Sequence, residues 1–455
     1  MYEVDLMNIL VVNGSPKGDY SITLQTCKFL ELKYPCHSFD YINAGAKSKS
    51  LEKDFTPAKE KLLKADLIIF SYPVYTFIAP CQLHSFIALM KKNGVDVAGK
   101  WATQITTSKH FYDVTAHTYV KENCFDMGLR YINGLSADMD DLTKEHGQKD
   151  ACRFFDYVLW CIDNNISEDS SNIYSADELN AATIPERSVE NKSGDIVIVT
   201  DATEDDVNLN SMINRFSAVS EMKTRVLNLN DIKIKGGCLG CFNCAVSGEC
   251  VYKDGFSEVL RNNIQTADAI VYAFSIKDHS MGVTFKMYDD RQFCNGHRSV
   301  TMGMPVAYLV SGHYKNENNL RMILEGRSEV GGNFLCGVAT DEYDTDNQID
   351  TMAKKLVYAI KNKHTAPANF LGVGGMKIFR DLVYQMRGMM KADHKFYKEH
   401  NLYDFPHKHK VMSYAMYLVG GMLGSDKIKA KMGNKMNEGM LMPYTKLLDN
   451  IKKQS

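Results

Sequence analysis

Short apolar runs alternate with helical patterns through the first third of the chain. A β-rich apolar run at 8–12 breaks into a polar turn, and a helical pattern follows at 21–32. A second helical pattern at 57–64 leads into a buried-strand pattern at 65–70, and another strand pattern lies near 103–105. Continuous apolar strands separated by helices are typical of a parallel sheet covered on both faces. The order continues to about residue 162 and predicts one α/β unit.

The same order of elements occurs a second time after a polar stretch. Residues 195–199 repeat the first strand, 267–272 repeat the strand that begins with Ala-Asp, and 304–313 repeat the strand that ends in small polar residues. The offset of roughly 190 to 200 residues indicates an internal duplication. We therefore predict an α/β fold with two doubly wound parallel sheets in tandem, followed by a C-terminal helical extension.

These patterns divide the chain into four predicted segments. Residues 1–165 are the first copy of the α/β unit, and residues 194–364 are the second copy. A linker rich in Ser, Asn and Glu is predicted at 166–193, and a basic, Met-rich helical tail at 365–455. The tail carries 15 Lys and Arg against 7 Asp and Glu, a net charge of +8, so the rest of the chain carries −10 of the total −2.

Composition limits the class of protein. The chain has 455 residues, of which 45% are hydrophobic and 24% are charged, as in ordinary globular proteins of two or three domains. A net charge of −2 gives no overall attraction to nucleic acid or to a membrane surface. The start lacks a signal-peptide pattern, and no apolar run reaches the ~18 to 20 residues that a transmembrane segment needs. We expect a cytoplasmic protein, and a homo-oligomer is compatible with this sequence.

Four cysteines lie within thirteen residues, in the run CLGCFNCAVSGEC. Their spacing can turn four thiolates toward one point, which suits an iron-sulfur cluster. A structural zinc site is the weaker alternative, because a second separated Cys-x-x-Cys pair or His pair does not follow. Four thiols without a metal are the remaining alternative. The predicted metal ligands are Cys238, Cys241, Cys244 and Cys250.

Three loops of the first copy follow predicted strands and carry ligand-binding chemistry. The first, GSPKGDYSIT, offers hydroxyls, a lysine and the N-terminus of a helix to a phosphate. The second, YPVY, can place Tyr72 or Tyr75 against a planar ring, and the third, TTSKHFYD, offers further donors. Ligands of doubly wound sheets bind beyond the carboxyl ends of the strands. The predicted binding residues on the three loops are Gly14, Ser15, Lys17, Ser21, Ile22, Thr23, Tyr72, Pro73, Val74, Tyr75, Thr106, Thr107 and Ser108.

These residues resemble two related groups of flavoproteins. The first copy resembles the flavodoxin-like NADPH-dependent FMN reductase superfamily through Gly14-Ser15-Pro16, Ser21, Thr23 and Pro73-Val74-Tyr75. The second copy resembles iron-sulfur flavoproteins of anaerobic microbes through the cysteine spacing and Asp289-Asp290-Arg291. Together the resemblances cover about residues 8–363. They imply flavodoxin-like sheets, FMN on the loops of the first copy and a [4Fe-4S] cluster near it.

The first loop of the second copy departs from this pattern. It reads DATEDDVN, with four acidic residues and no glycine where the phosphate of FMN would lie. Like charges at intermediate dielectric repel by several kcal/mol, or about 4 kcal/mol at 4 Å. The second loop, FSIKDHSMG, also lacks Pro-x-Tyr. We predict that the second copy has lost FMN binding and retains only the cluster. His279 and His313 in its strand-end loops are expected to be surface histidines rather than proton donors.

The expected function is an oxidoreductase that uses FMN and a [4Fe-4S] cluster to move electrons from NAD(P)H or ferredoxin to a small-molecule or protein acceptor. NAD(P)H would bind transiently, since no Rossmann Gly-x-Gly-x-x-Gly follows a strand. Lys109 and His110 are the candidate catalytic residues, which would stabilise negative charge on reduced flavin. The alternatives are an FMN-dependent NAD(P)H reductase of quinones or nitro compounds without a cluster, and a non-catalytic electron carrier. The basic tail, with lysines at 427, 429 and 431, is predicted to be a docking surface for an acidic ferredoxin; the alternative is a helical extension that packs on its own domains or on a symmetry mate.

Overall fold

The first copy forms a parallel sheet whose strands contain mostly buried apolar residues. In this computed structural model, the described residues are 6–168, 178–186, 188–189, 193–405, 410–423, 445 and 449. The sheet has the order β2-β1-β3-β4-β5, and β6 pairs with the far end of β4. Its strands are β1 Asn8–Asn13, β2 Ser38–Ile42, β3 Leu67–Pro73, β4 Trp101–Ser108, β5 Arg130–Tyr131 and β6 Leu135–Asp138.

Six helices accompany this sheet. Ser21 caps the first of them by accepting a hydrogen bond from the backbone N–H of Leu24, 3.4 Å away. The helices are α1 Ile22–Lys33, α2 Ser48–Lys53, α3 Thr56–Lys64, α4 Cys81–Lys92, α5 Asp113–Asp126 and α6 Glu145–Asp163.

The second copy repeats the same topology. Its five parallel strands have the order β8-β7-β9-β10-β11, which is the order 2-1-3-4-5 of the first sheet and of flavodoxin-like folds. The strands are β7 Ser193–Thr200, β8 Met222–Asn228, β9 Ala269–Ser275, β10 Pro305–Ser311 and β11 Phe334–Thr340. The helices are α7 Val207–Val219, α8 Asn243–Ser247, α9 Phe256–Val259, α10 Gly282–Arg291, α11 Asn318–Gly331 and α12 Thr345–Asn362. The predicted fold, two flavodoxin-like parallel sheets in tandem, is confirmed.

The two copies pack against each other through equivalent helices. Helix α4 packs on α10, and α5 packs on α11; we call this contact the seam. The strand-end turns match as well, since Thr76 and Phe77 have φ of 42° and 70°, and Asp278 and His279 have φ of 52° and 60°. One buried apolar cluster includes residues from both copies, among them Phe70 and Phe274. The copies therefore share a core.

Both copies and the first part of the tail belong to one compact unit, Met1–Phe396, while Tyr397–Ser455 is a second unit. The tail helices are α13 Phe370–Gln385, α14 Lys391–Glu399 and α15 Lys410–Leu423. None of the helices described is both long and apolar enough to cross a bilayer. The predicted linker at 166–193 is described only in part, and Lys427, Lys429 and Lys431 lie outside the described residues. The exact segment boundaries and the docking surface stay predictions.

Candidate functional site

A cavity of about 190 Å³ lies at the carboxyl ends of β1, β3 and β4; we call it the strand-end pocket. The first loop lines it with Ser15, Lys17, Ser21, Ile22 and Thr23. The hydroxyls of Thr23 and Thr107 are 2.6 Å apart and join the first loop to the third. The pocket thus meets the N-terminus of α1, where free backbone N–H groups favour an anion such as a phosphate.

Gly14 lies beneath the first loop and is not a lining residue of the pocket. Its backbone N–H donates to the carbonyl of Ser71, 2.8 Å away. A Cβ at this position would lie 2.9 Å from the Cβ of Leu83 on α4. The glycine therefore allows α4 to approach the end of β1, and its role in the site is packing.

The two candidate tyrosines of the second loop lie in different environments. Tyr75 lines the pocket together with Pro73 and Val74. Tyr72 is fully buried, and its hydroxyl donates to Gln104 Oε1 at 2.5 Å and to the carbonyl of Ala116 at 2.9 Å. Tyr72 therefore belongs to the core of the first copy, and Tyr75 is the tyrosine that can contact a ring in the pocket.

The third loop contributes Thr107, Ser108 and Lys109 to the pocket. Lys109 Nζ lies 2.6 Å from Asp138 Oδ1 and 3.6 Å from Asp140 Oδ1, so two carboxylates hold this ammonium at the pocket wall.

Thr106 and His110 have other partners. The hydroxyl of Thr106 lies 2.8 Å from His117 Nε2, and His110 Nδ1 lies 2.9 Å from Asp113 Oδ2 with the imidazole half exposed. Neither residue is among those that line the strand-end pocket. Of the two candidate catalytic residues, Lys109 is therefore the one that lines the pocket.

The cysteine segment of the second copy reaches the pocket of the first. Cys238, Gly240 and Cys244 line the pocket. Gly240 has φ of +60°, and a Cβ there would overlap the Tyr75 hydroxyl and lie 3.2 Å from Lys17 Cε. Lys17 Nζ also lies 5.7 Å from the ring centroid of Phe242. The predicted cluster ligands and the predicted flavin-binding loops therefore meet directly.

Cys244 lies on the short helix α8, and the other three cysteines lie on the loops that flank it. Cys241 is exposed, and Cys238, Cys244 and Cys250 are partly buried. Burial raises the pKa of Cys244 to about 11, and charge on Asp393 and the neighbouring cysteines raises it further. A raised pKa disfavours the thiolate of Cys244, and a bound metal would favour it.

The donor set of the cysteine segment fits an iron-sulfur cluster. Cys238, Cys241, Cys244 and Cys250 are all free thiols on one segment of thirteen residues. Four cysteine thiolates are the ligands that such a cluster takes.

The Asp289-Asp290-Arg291 run holds the cysteine segment and the seam together. Arg291 is 1% exposed; its guanidinium pairs with Asp254 at 2.9 Å and donates to the carbonyl of Gly236 at 3.0 Å. Asp290 is fully buried and accepts from the Cys81 N–H at 2.7 Å and from the Thr76 hydroxyl at 2.6 Å. The run thus ties the second copy to the second loop of the first.

The tail also contributes to the pocket, which the sequence did not predict. Helix α13 places Ile378, Phe379 and Leu382 in the lining. The Phe379 ring stacks on Phe111 with a centroid separation of 4.4 Å. On α14, Asp393 is fully buried and lies 2.9 Å from His297 Nδ1. The apolar face of α13 therefore covers the pocket, and its spacing of apolar residues was the available signal.

In the first loop of the second copy, a carboxylate of the loop itself accepts the hydrogen bonds of nearby donors. Asp206 Oδ2 accepts from the backbone N–H and hydroxyl of Thr203, at 2.9 Å and 2.8 Å, and Asp206 Oδ1 accepts from the Ser275 hydroxyl at 3.0 Å. Burial raises the pKa of Asp201 to about 6. The donors that could bind a phosphate are occupied by a side chain of the loop itself.

The expectation that His279 is a surface histidine is wrong. The residue is 9% exposed, and its Nδ1 lies 3.0 Å from Glu317 Oε1. Its turn packs into the seam, so the packing of the two copies covers the ring. His313 is partly buried at the end of β10.

Comparisons with known proteins agree with the resemblance found in the sequence. No family model matches the chain. An iron-sulfur flavoprotein of Archaeoglobus fulgidus is 26% identical over 171 residues, which cover 36% of this chain and 77% of the relative. An iron-sulfur flavoprotein of Clostridioides difficile is 21% identical over 191 residues, which cover 38% and 83%. The chain is thus similar to iron-sulfur flavoproteins over about a third of its length.

Solved structures with similar folds also match about a third of the chain. An NADH:FMN oxidoreductase in its apo form is 18% identical, covers 36% of this chain and 92% of its own, and has a TM-score of 0.31. An FMN-dependent NADH-azoreductase from Bacillus anthracis, in complex with FMN, is 14% identical, covers 36% and 100%, and has a TM-score of 0.27.

Proposed function

We propose that the chain is an FMN- and [4Fe-4S]-dependent oxidoreductase that passes electrons between a reduced donor and a small-molecule or protein acceptor. The observation that carries the proposal is the shared pocket: predicted flavin-binding loops of the first copy and cysteines of the second copy line the same cavity. Similarity to iron-sulfur flavoproteins supports it. NAD(P)H or ferredoxin is the proposed donor.

The residues of the pocket suit distinct parts of FMN. Ser15, Lys17 and the N-terminus of α1 would hold the phosphate. Tyr75 and Phe379 would contact the ring, and α13 would keep water from it. Bound FMN accepts two electrons or a hydride, and a bound [4Fe-4S] cluster exchanges single electrons.

Two lysines balance charge in the proposed site. Lys109, fixed by Asp138 at 2.6 Å, lies at the pocket wall and would offset negative charge on the reduced ring. Lys17 would offset the phosphate charge. The attraction between each lysine and the negative charge on FMN would be strongest where α13 excludes water, because the local dielectric constant is lower there.

Tyr75 lies beside the cysteine segment. It lines the pocket and meets Gly240, which lies between Cys238 and Cys241 in the sequence. Cys238 and Cys244 line the same pocket, so FMN and a cluster held by these residues would be bound close together. This arrangement supports a cluster that takes part in turnover rather than one that only stabilises the fold.

The experiment is an anaerobic purification followed by iron, sulfide and flavin analysis of the wild type and of Cys241→Ser. We expect about four irons per chain and about one FMN in the wild type. Cys241→Ser should lose most of the iron and retain FMN. Cys336→Ser, which removes a buried cysteine of β11 remote in sequence from the cysteine segment, is the matched control and should retain both. Stoichiometric zinc without sulfide would contradict the proposal.

The proposed alternative, an FMN-dependent NAD(P)H quinone-type reductase without a redox-active cluster, predicts a different kinetic result. Cys241→Ser would then reduce a quinone with NAD(P)H as fast as the wild type. Under the main proposal, flavin reduction by NAD(P)H or by a chemical reductant persists, and electron transfer to a one-electron acceptor is lost. Stopped-flow measurement of the flavin absorbance separates the two.

A further inference from the structure

The seam holds a buried polar group that the proposed electron transfer does not use. Glu122 lies on α5 of the first copy, whereas His279 and Glu317 belong to strand-end loops of the second. One ligand atom from each of the three residues lies within 4.8 Å of those of the other two. All three side chains are buried, with 7%, 9% and 6% exposure.

Two carboxylate oxygens in this group have no partner. Glu122 Oε2 and Glu317 Oε2 are buried and accept no hydrogen bond from any residue described. A buried carboxylate without a donor or a cation is strongly unfavourable. An ionised carboxylate at either position therefore needs a positive charge beside it.

His279 lies between two carboxylates. Its Nδ1 is hydrogen-bonded to Glu317 Oε1 at 3.0 Å, and its Nε2 lies 3.1 Å from Asp126 Oδ2. Histidine ligands commonly have one nitrogen beside a carboxylate while the other nitrogen binds the ion. In the tautomer that carries the proton on Nε2, the lone pair of Nδ1 would face Glu317 Oε1, which is also an acceptor, and a cation beside these two atoms would remove that repulsion.

We infer that Glu122, His279 and Glu317 form a binding site for a divalent first-row transition-metal ion that joins the two copies. Two carboxylates and one imidazole are ligands suited to Mn²⁺, Fe²⁺ or Zn²⁺. The inference does not depend on the proposed redox function, because none of these residues lines the strand-end pocket.

A charged imidazole bridge is the competing explanation. A doubly protonated His279 could donate to both Asp126 and Glu317, but it would leave Glu122 Oε2 without a partner. Lys91 is already paired with Asp126 at 2.7 Å and Asp278 at 2.9 Å. When His279 is neutral, Lys91 pairs with two of the four nearby carboxylates, Asp126 and Asp278, and a dication would offset the charge of the other two, Glu122 and Glu317.

The test uses MnCl₂ as the probe. The full chain is purified anaerobically and freed of loosely held divalent ions by a chelator. It is then titrated with Mn²⁺ while electron paramagnetic resonance counts the free ion. We expect one saturable Mn²⁺ per chain that Zn²⁺ displaces, and a higher thermal midpoint with Mn²⁺ bound. Glu122→Gln and Glu317→Gln should each weaken Mn²⁺ binding at least ~tenfold and abolish the thermal shift.

Two variants serve as controls. Glu221→Gln removes an exposed carboxylate of the second copy that pairs with Lys361, and it should bind Mn²⁺ as the wild type does. Cys241→Ser should also bind Mn²⁺ normally, because the cysteine segment is a separate site. An unchanged circular dichroism spectrum shows that each variant is folded. Absence of saturable Mn²⁺ and Zn²⁺ binding in the wild type, or wild-type Mn²⁺ affinity in Glu122→Gln, would overturn the inference in favour of the imidazole bridge.

Discussion

The first loops of the two copies leave equivalent strands, β1 and β7, and begin equivalent helices, but their chemistry differs. The loop of the first copy carries Lys17 and one acidic residue, Asp19, whereas that of the second carries four acidic residues. In the second copy, Asp206 takes the hydrogen bonds of Thr203 and Ser275. The comparison shows that strand order is retained while a few loop residues decide whether a phosphate can bind.

The two copies also contribute different side chains to the seam. The matched turns differ by 202 positions, since Asp278 corresponds to Thr76, so Asp290 on α10 corresponds to Ala88 on α4. Asp290 binds the turn of the first copy and pairs with the fully buried Lys286 at 2.6 Å. An alanine cannot make those contacts. Asp290 of the second copy thus fixes the second loop of the first copy, and Ala88 makes no equivalent hydrogen bonds to the second copy.

The largest effect should follow from making the seam symmetric with Asp290→Ala. The change leaves Asp289, at 3.2 Å, as the one carboxylate that pairs with the buried Lys286 among the residues described, and it frees the Cys81 N–H and the Thr76 hydroxyl proton. Removing one partner of a buried ion pair costs about 3 to 5 kcal/mol. Chemical denaturation measures the change in free energy of unfolding. Asp40→Ala, which removes an exposed partner of Lys61, is the control and should cost at most about 1 kcal/mol.

Making the first loop acidic should remove flavin. Ser15→Asp places a carboxylate in a nearly fully buried position beside the proposed phosphate site. Repulsion of about 4 kcal/mol at intermediate dielectric predicts at least a ~hundredfold loss of FMN affinity. Fluorescence titration of the apoprotein measures it. Ser50→Asp, on the exposed face of α2, should bind FMN normally, and full flavin retention by Ser15→Asp would show that the phosphate lies elsewhere.

The contact between the cysteine segment and Tyr75 can be tested with a pair of glycines. Gly240→Ala and Gly255→Ala both place alanine at positive φ, with φ of +60° and +79°. That strain costs about 1 kcal/mol in each. Only the Cβ at 240 would overlap Tyr75, because nothing lies within 4 Å of a Cβ at 255. We expect Gly240→Ala to lose iron and weaken FMN binding, measured by iron and flavin content. Equal iron loss in Gly255→Ala would instead point to backbone strain.

The smallest effect concerns the cover that the tail gives to the first copy. Phe379→Ala removes a ring that stacks on Phe111 and lines the pocket. We expect about tenfold weaker FMN binding, because an aromatic contact contributes about 0.5 to 1.5 kcal/mol beyond its buried area. Phe370→Ala on the same helix removes a ring that is 86% exposed and should leave FMN affinity unchanged. Equal effects of the two variants would mean that α13 acts through helix stability.

Periodicity was enough to predict both sheets, because buried parallel strands are continuous apolar runs that end in small polar residues. Strand-end loops likewise identified most of the lining residues that belong to the first copy, including Ser15, Tyr75 and Thr107. Residues within strands were harder to assign. Tyr72 lies inside β3, where its side chain packs into the core, whereas Tyr75 lies beyond the end of the strand.

Contacts between distant segments could not be predicted from local patterns. The Thr76–Asp290 hydrogen bond joins residues 214 positions apart, and the burial of His279 depends on the packing of two copies. The role of α13 was missed for the same reason, since an apolar helical face does not specify what it covers. Local sequence encodes each element, and tertiary packing decides which elements meet.

The contact of Gly240 with Tyr75 joins two halves of the same polypeptide. Joined binding partners have an effective concentration set by their connection rather than by the amount of protein, commonly in the millimolar range for short flexible linkers. Pairing of the two halves should therefore resist dilution. The ratio of cysteine segment to strand-end pocket is also fixed at one to one by translation. An assembly of separate subunits would have to reach that ratio by mass action.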